Sequence, residues 1–152
     1  MIRLASLVLA IGAVTIVSAP RRAQSFARAS QEAARTTWDS VYSDSQAKRG
    51  DTLYQSACAK CHGAALAGTD SAAELTGQTF LGNWDALTLD QLYDKILTSM
   101  PPDNPNTIPR DQLADIVADI LAQNHFPAGS QPLSGNADSL KTITLVKSNP
   151  HP

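Results

Sequence analysis

Residues Cys58-Ala59-Lys60-Cys61-His62 place two thiols three residues apart and an imidazole directly after the second. On a helical turn, positions three and four apart share a face. Both thiols and the His62 ring therefore point the same way. The pattern C-x-x-C-H reads as an attachment site for c-type haem. In this reading Cys58 and Cys61 form thioethers to the two vinyl groups of one haem, and His62 lies beneath the iron as an axial ligand. These are the chain's two cysteines, so none remains for a disulfide. A thioredoxin-like pair would need a βαβ setting and a zinc site a further Cys/His pair. No strand pattern flanks the motif, and the other histidines, His125 and His151, stand alone.

A covalent haem also answers a size problem. With 152 residues, of which 5% are aromatic, the chain makes one small domain plus processing segments. Small domains bury limited cores and commonly need a staple. The first residues look like a targeting segment: a basic start, Met1-Ile2-Arg3, precedes 16 apolar or weakly polar residues, Leu4 to Ala19. That run is short of the roughly 20 residues a membrane span requires. It predicts a signal peptide over 1–25, with candidate cleavage points after Ala19, Ala23, Ser25 or Ala27. Arg21 and Arg22 oppose export, which keeps an uncleaved membrane tether as the alternative. Either way the haem domain is expected outside the cytoplasmic membrane, in the periplasm.

Residues 26–43 read as a linker without clear periodicity, 44–126 as the haem domain and 127–152 as an extended tail. The first helix is expected from about Asp44 to Cys58, with Ala47, Gly50, Tyr54 and Ala57 on one face. Gly50 costs a helix interior about 1 kcal/mol relative to Ala, which makes sense if another helix crosses closely there. Gly63 to Trp84 reads as a long loop wrapping the haem edge. Thr88-Leu89-Asp90-Gln91 is a capping box, followed by the stripe Leu89, Leu92, Tyr93 and Ile96. Pro101 and Pro102 end this helix near Ser99. A last helix is expected from Pro109 or Arg110 to about Asn124. There Leu113, Ile116, Val117, Ile120 and Leu121 are spaced along one stripe, with Asp111, Asp115 and Asp119 on a solvated face. In the tail, Lys141 to Val146 alternates as an edge strand or packed arm would. The fold class is therefore all-α: three main helices and long loops around one covalent haem, with an extended C-terminal arm.

Met100 is the sole methionine besides Met1 and stands on the proline loop rather than within an apolar stripe. It is the candidate second axial ligand, giving the His/Met pairing of electron-transfer cytochromes. Two filled axial positions bar substrate from the metal. Neither a nucleophile elbow, a phosphate-cradling loop nor H-E-x-x-H occurs, so the sequence predicts an electron carrier rather than an enzyme. Trp84 and Tyr93 are candidate donors to haem propionates, with core packing as the alternative. Residues 44–126 carry five Lys/Arg against eleven Asp/Glu. That acidity disfavours nucleic acid and would steer an electropositive partner, with Asp103 the acidic side chain nearest Met100 on the proline loop.

Over residues 44–126 the chain resembles the class I monohaem cytochrome c family. The resemblance rests on the Gly50/Tyr54 helix, Cys58-Ala-Lys-Cys61-His62-Gly63, the Leu-x-x-Ile stripe before Met100-Pro101, and the final apolar helix. It implies that the first and last helices cross, with Gly50 and Tyr54 meeting Ile116 or Val117 and Ile120. The subgroup it suggests, from the spacing and Phe80…Trp84, is bacterial cytochromes linked to quinoprotein alcohol dehydrogenases or terminal oxidases. That subgroup supplies the expected redox donor and acceptor. Two departures stand out. The family carries a proline after the haem motif whose carbonyl orients the ligand histidine, whereas this chain reads Ser71-Ala72-Ala73-Glu74-Leu75. A backbone carbonyl there can still accept from His62. The family also favours an aromatic where Asp119 stands, which predicts a weaker helix contact here.

Two other functions compete with a periplasmic electron carrier: a peroxide-reducing enzyme with a labile Met100, and a gas-sensing haem module. Common to all three is thioether attachment. Haem should stay with the protein when acidified organic solvent is added, and Cys58→Ala or Cys61→Ala should sharply lower the yield of holoprotein. Full extraction from the wild type would refute the attachment.

Overall fold

A computed structural model describes residues 34–151; the expected signal peptide over 1–25 lies outside them. Six helices and one pair of short strands form the described body. Helix α1 (Asp44–Ala57) starts at Ser43, whose extended backbone and hydroxyl cap the Gln46 N–H, as Ser does at helix starts. Its buried side holds Gln46, Ala47, Gly50 and Tyr54. Cys58 joins it to the single turn α2 (Ala59–His62), which carries the rest of the motif.

Helix α4 (Leu89–Ser99) begins with the expected capping box, in which the Gln91 side chain accepts the Thr88 N–H at 3.0 Å. It stops at Met100, whose backbone is extended ahead of the prolines. Helix α5 (Arg110–Gln123) packs across α1. Its stripe Leu113, Ile116, Val117, Ile120 and Leu121 is buried as expected. The crossing is closest at Gly50, where an added Cβ would lie 1.9 Å from the Asp115 carbonyl oxygen and 3.0 Å from Asp119 Cβ. The helix crossing implied by the resemblance is present, and the nearest approach to Gly50 across it is the Asp115 backbone. Arg49 fastens the same crossing from outside, with two guanidinium hydrogen bonds of 2.9 Å to the Asp115 carboxylate.

The structure departs from the sequence reading in three places. Helix α3 (Gly77–Trp84) occupies the end of the stretch read as loop. It is eight residues long, buries only Phe80 and contains two glycines, so its periodicity is faint. The described part of the segment read as linker, residues 34–43, packs against the body instead. Val41 and Tyr42 are buried, the Tyr42 hydroxyl donates to the Phe126 carbonyl at 2.6 Å, and the Trp38 indole donates to the Val146 carbonyl at 2.8 Å. The tail is likewise folded down. It forms α6 (Ala137–Lys141) and β2 (Ile143–Thr144), and β2 pairs in parallel with β1 (Arg35–Thr36). Leu133, Leu140, Ile143 and Leu145 enter the core, the last two through the alternation noted in the sequence. Gln46, buried on α1, ties the tail in: its amide donates to the Leu133 carbonyl at 2.9 Å and accepts the Leu133 N–H at 2.6 Å. Among the described residues no helix is long and apolar enough to cross a membrane.

The crossing sets a stability test. Ala is the better helix former by about 1 kcal/mol, yet its methyl would drive into a backbone carbonyl, and overpacking costs about 1–3 kcal/mol or more. Gly50→Ala should therefore lower the denaturation midpoint of the holoprotein despite the propensity gain. An unchanged or raised midpoint would mean that α1 and α5 do not touch there.

Candidate functional site

Cys58, Cys61, His62 and Met100 come from two separate parts of the chain and line one cavity of about 340 Å³. Helices α1 and α2 bring the motif to one wall, and the end of α4 brings Met100. Ile116 and Ile120 of α5, Phe80 and Trp84 of α3, and Leu92 of α4 make much of the lining apolar. Ala57, expected on the packed face of α1, faces this cavity. The unexpected helix α3 thus supplies part of the wall that the sequence reading gave to a loop.

His62 is oriented by the backbone. Its Nδ1–H donates to the Ala73 carbonyl at 2.7 Å. A carbonyl only accepts, so this contact fixes the proton on Nδ1 and leaves the Nε2 lone pair free. The acceptor lies within Ser71–Leu75, where the sequence lacks the family's proline. Gly63, next after His62, accepts at its carbonyl from the Tyr54 hydroxyl at 2.8 Å. Thr69 donates its hydroxyl to the Cys61 carbonyl at 2.6 Å. Burial first, then the Asp119 carboxylate and Cys61, push the Cys58 thiol up to about 11. A protonated thiol is a poor thiolate nucleophile, which speaks against a thioredoxin-type redox pair.

The donor set bears on what the cavity can hold. Among the described residues no group of three or more His, Cys, Asp or Glu side chains is placed to hold a metal ion. One imidazole with a free Nε2, one thioether and two unpaired thiols around an apolar wall instead suit a flat apolar macrocycle that brings its own metal donors. The remaining candidates fall elsewhere. His125 is exposed beyond the end of α5 and lines a different hollow with Gly77 and Gln123. His151 lies 3.7 Å from Asp39 in the tail. Tyr93 is a core residue and does not line the cavity: it is fully buried, with its hydroxyl donating to the Arg110 carbonyl at 2.6 Å. Trp84 remains in the cavity wall, half-buried.

Asp119 corrects the reading of α5 as having a solvated acidic face throughout. Asp111 is exposed, but Asp119 is 2% exposed at the crossing with α1. Its Oδ1 accepts from the Gln123 amide at 3.1 Å, whereas Oδ2 is buried with no hydrogen-bond partner among the described residues. Helical periodicity put it on the polar side, but α1 covers that side as well. The sequence reading also missed Asn124, a buried side chain that bonds the loop beyond the motif. A polar residue just past a helix end is too common a feature to single out from sequence.

Residues 45–118 match the model of the family described as cytochrome C oxidase, cbb3-type, subunit III. Among solved structures, the chain is similar to one in the sulfane dehydrogenase SoxCD from Paracoccus pantotrophus. The two are 24% identical with a TM-score of 0.51, and the match covers 71% of this chain and 61% of that one. At that identity the likeness is one of fold. No curated protein matches the chain.

The buried carboxyl gives a pH test. Desolvation, the leading cause, raises the Asp119 pKa above 3.8, with Asp51 adding to it and the Gln123 hydrogen bond opposing it. Above its unfolded value, the native state therefore binds this proton more tightly than the unfolded chain does. Stability from this residue falls as pH rises through that window, and the full penalty applies above the folded pKa. Wild type and Asp119→Asn should thus diverge in denaturation midpoint as pH is raised from about 4, the variant gaining relative to wild type. Parallel pH profiles would show that Asp119 is not a buried charge.

Proposed function

We propose that this protein is a class I c-type cytochrome with covalently bound haem c, acting as a periplasmic one-electron carrier with His62 and Met100 as its axial ligands. The observation that carries the proposal is the convergence of Cys58, Cys61, His62 and Met100 on one apolar cavity. Haem c supplies a one-electron iron couple. The protein's own residues decide how that couple is used.

Cys58 and Cys61 hold the group in one orientation, and the Ala73 carbonyl keeps the His62 Nε2 lone pair turned outward. Met100 supplies a soft thioether from the extended backbone at the end of α4. A thioether opposite an imidazole raises the potential. The apolar wall keeps water from the buried side, and desolvation favours the less charged state of the site. With both axial donors provided by the chain, small molecules compete poorly for the metal, which favours electron transfer over peroxide reduction or gas sensing.

Export fits the N-terminal residues, whose apolar run suits a signal segment. Partners follow from the same chemistry. The matched family is an oxidase subunit and the structural neighbour a dehydrogenase. Both are consistent with the donor and acceptor being redox proteins of dehydrogenase or terminal-oxidase type.

Carbon monoxide is the discriminating probe. The reduced wild type should bind it poorly. Met100→Ala should open the iron, bind carbon monoxide and show a lower reduction potential, while His125→Ala leaves the spectrum unchanged. Ready carbon monoxide binding by the wild type would favour the sensing or peroxide-reducing alternative, and a spectrum sensitive to His125 rather than Met100 would reassign the ligand.

A further inference from the structure

The carbonyl that orients His62 sits in an exposed, proline-free stretch. Ser71 and Ala73 are both exposed, and nothing in Ser71-Ala72-Ala73-Glu74-Leu75 restricts the backbone as a proline ring would. Yet Ala73 is held at 2.7 Å from the ring nitrogen. Its position must come from the contacts around the stretch.

On one side the loop folds onto itself. The Thr69 N–H donates to the Ala72 carbonyl at 2.9 Å, and the Leu75 N–H donates to the Leu66 carbonyl at 2.8 Å. Gly68 lies under this turn with φ +73°, and an added Cβ would come within 2.6 Å of the Glu74 nitrogen. The Gly68 N–H also donates to the His62 carbonyl at 2.8 Å and the Thr69 hydroxyl to the Cys61 carbonyl at 2.6 Å, and Leu66 is buried, so the first half of the loop is held to the motif, but none of these bonds ties residues 73–77 to α5.

On the other side stands Asn124, 7% exposed, just past the end of α5. Its amide nitrogen donates to the Leu75 carbonyl at 2.9 Å and to the Ile120 carbonyl at 2.8 Å. Its amide oxygen accepts the Gly77 N–H at 3.1 Å. One side chain thus uses both donors and its acceptor to bind the loop at residues 75 and 77 to α5. That grip is two residues from the Ala73 carbonyl.

We infer that Asn124 is a positioning residue for His62, doing by hydrogen bonds to the following loop what a proline ring does elsewhere. The inference rests on His62 being an iron ligand, as proposed above. A hydrogen bond at the far nitrogen makes a ligating imidazole a stronger donor and so favours the oxidised metal. Loosening the Ala73 carbonyl therefore weakens that donation and raises the potential. Asn124→Asp is the informative change, because it keeps an acceptor for Gly77 and loses the donor to Leu75.

The experiment uses nitrogen-labelled reduced holoprotein, with NMR exchange of the His62 Nδ1–H and electrochemistry as readouts. Asn124→Ala and Asn124→Asp should speed that exchange about tenfold, the scale of one lost hydrogen bond, and shift the potential upward. Asn136→Ala, which removes the cap of α6 far along the chain, should change neither. If the Asn124 variants do not fold, wild-type exchange across sub-denaturing urea still decides: the His62 Nδ1–H and the Gly77 N–H should open together with one urea dependence. Independent opening, or unchanged exchange and potential in folded Asn124 variants, would overturn the inference. A His62→Gly variant with an unaltered haem spectrum would overturn the ligation reading and this inference with it, whereas a spectrum that depends on His62 leaves only the Asn124 result in question.

Discussion

The crossing of α1 and α5 at Gly50 is the contact on which the rest depends. With the Asp115 carbonyl where a side chain on residue 50 would stand, two backbones approach as only a glycine allows. Everything functional is measured along the chain from that point. One turn on, Tyr54 reaches the Gly63 carbonyl and pins the residue after the motif; one turn further lies Cys58. On the partner helix, Ile116 and Ile120 face the cavity, and the chain then arrives at Asn124. The same contact therefore sets the attachment cysteines, the apolar wall and the brace on the loop beyond His62.

The terminal segments explain how so small a body holds its shape around a cavity of this size. An apolar cavity forfeits dispersion contacts on its open side. The compensation lies at the back of α1 and α5, away from the cavity. Trp38 stacks edge-on to Phe126 at 5.0 Å between ring centres, Gln46 makes its reciprocal bond pair with Leu133, and β1 and β2 bring the two ends of the described chain together. Lys147 completes the closure by donating its N–H to Asp85, between α3 and α4, at 3.0 Å. The described body is a helical domain with its flanking segments folded over its back, not a domain between two loose ends.

What the sequence disclosed follows the strength of each local signal. Helices α1, α4 and α5 were legible because each has at least three turns and an apolar stripe or a cap: Gly50 and Tyr54, the Thr88–Gln91 box, Leu113 to Leu121. The motif and Met100, which share one cavity, stood out in the sequence because their chemistry restricts the residue types. Helix α3 was not legible, since Phe80 alone is buried and its start is satisfied by Asn124 from another element rather than by a local cap. In the tail the alternation of Lys141 to Val146 did mark a packed arm, but the rest of the flanking segments was not legible, because Trp38, Tyr42 and Leu133 are isolated apolar residues whose partners lie about 85 to 110 positions away. Asp119 was misread for the same reason: helical spacing assigns a face, but a second helix can cover two faces.

The surroundings of His62 and of Met100 are built to different degrees. Around His62, hydrogen bonds from Tyr54, Thr69 and His62 itself hold the motif and its following turn, and Asn124 ties the loop to α5. Around Met100 the supports are sparser: its N–H donates to the Ile96 carbonyl at 2.9 Å, and the Asn106 N–H reaches back to the Leu97 carbonyl at 3.0 Å. Pro102 to Thr107 are exposed. Prolines stiffen that loop by restricting φ rather than by bonding it to the core. Local opening costs less where fewer buried contacts and backbone bonds must be broken. The Met100 side of the cavity therefore opens at lower cost than the His62 side, where the imidazole is held by the Ala73 carbonyl. That asymmetry matches the proposed carrier role, which asks for a fixed imidazole and leaves room for an adaptable loop at Met100.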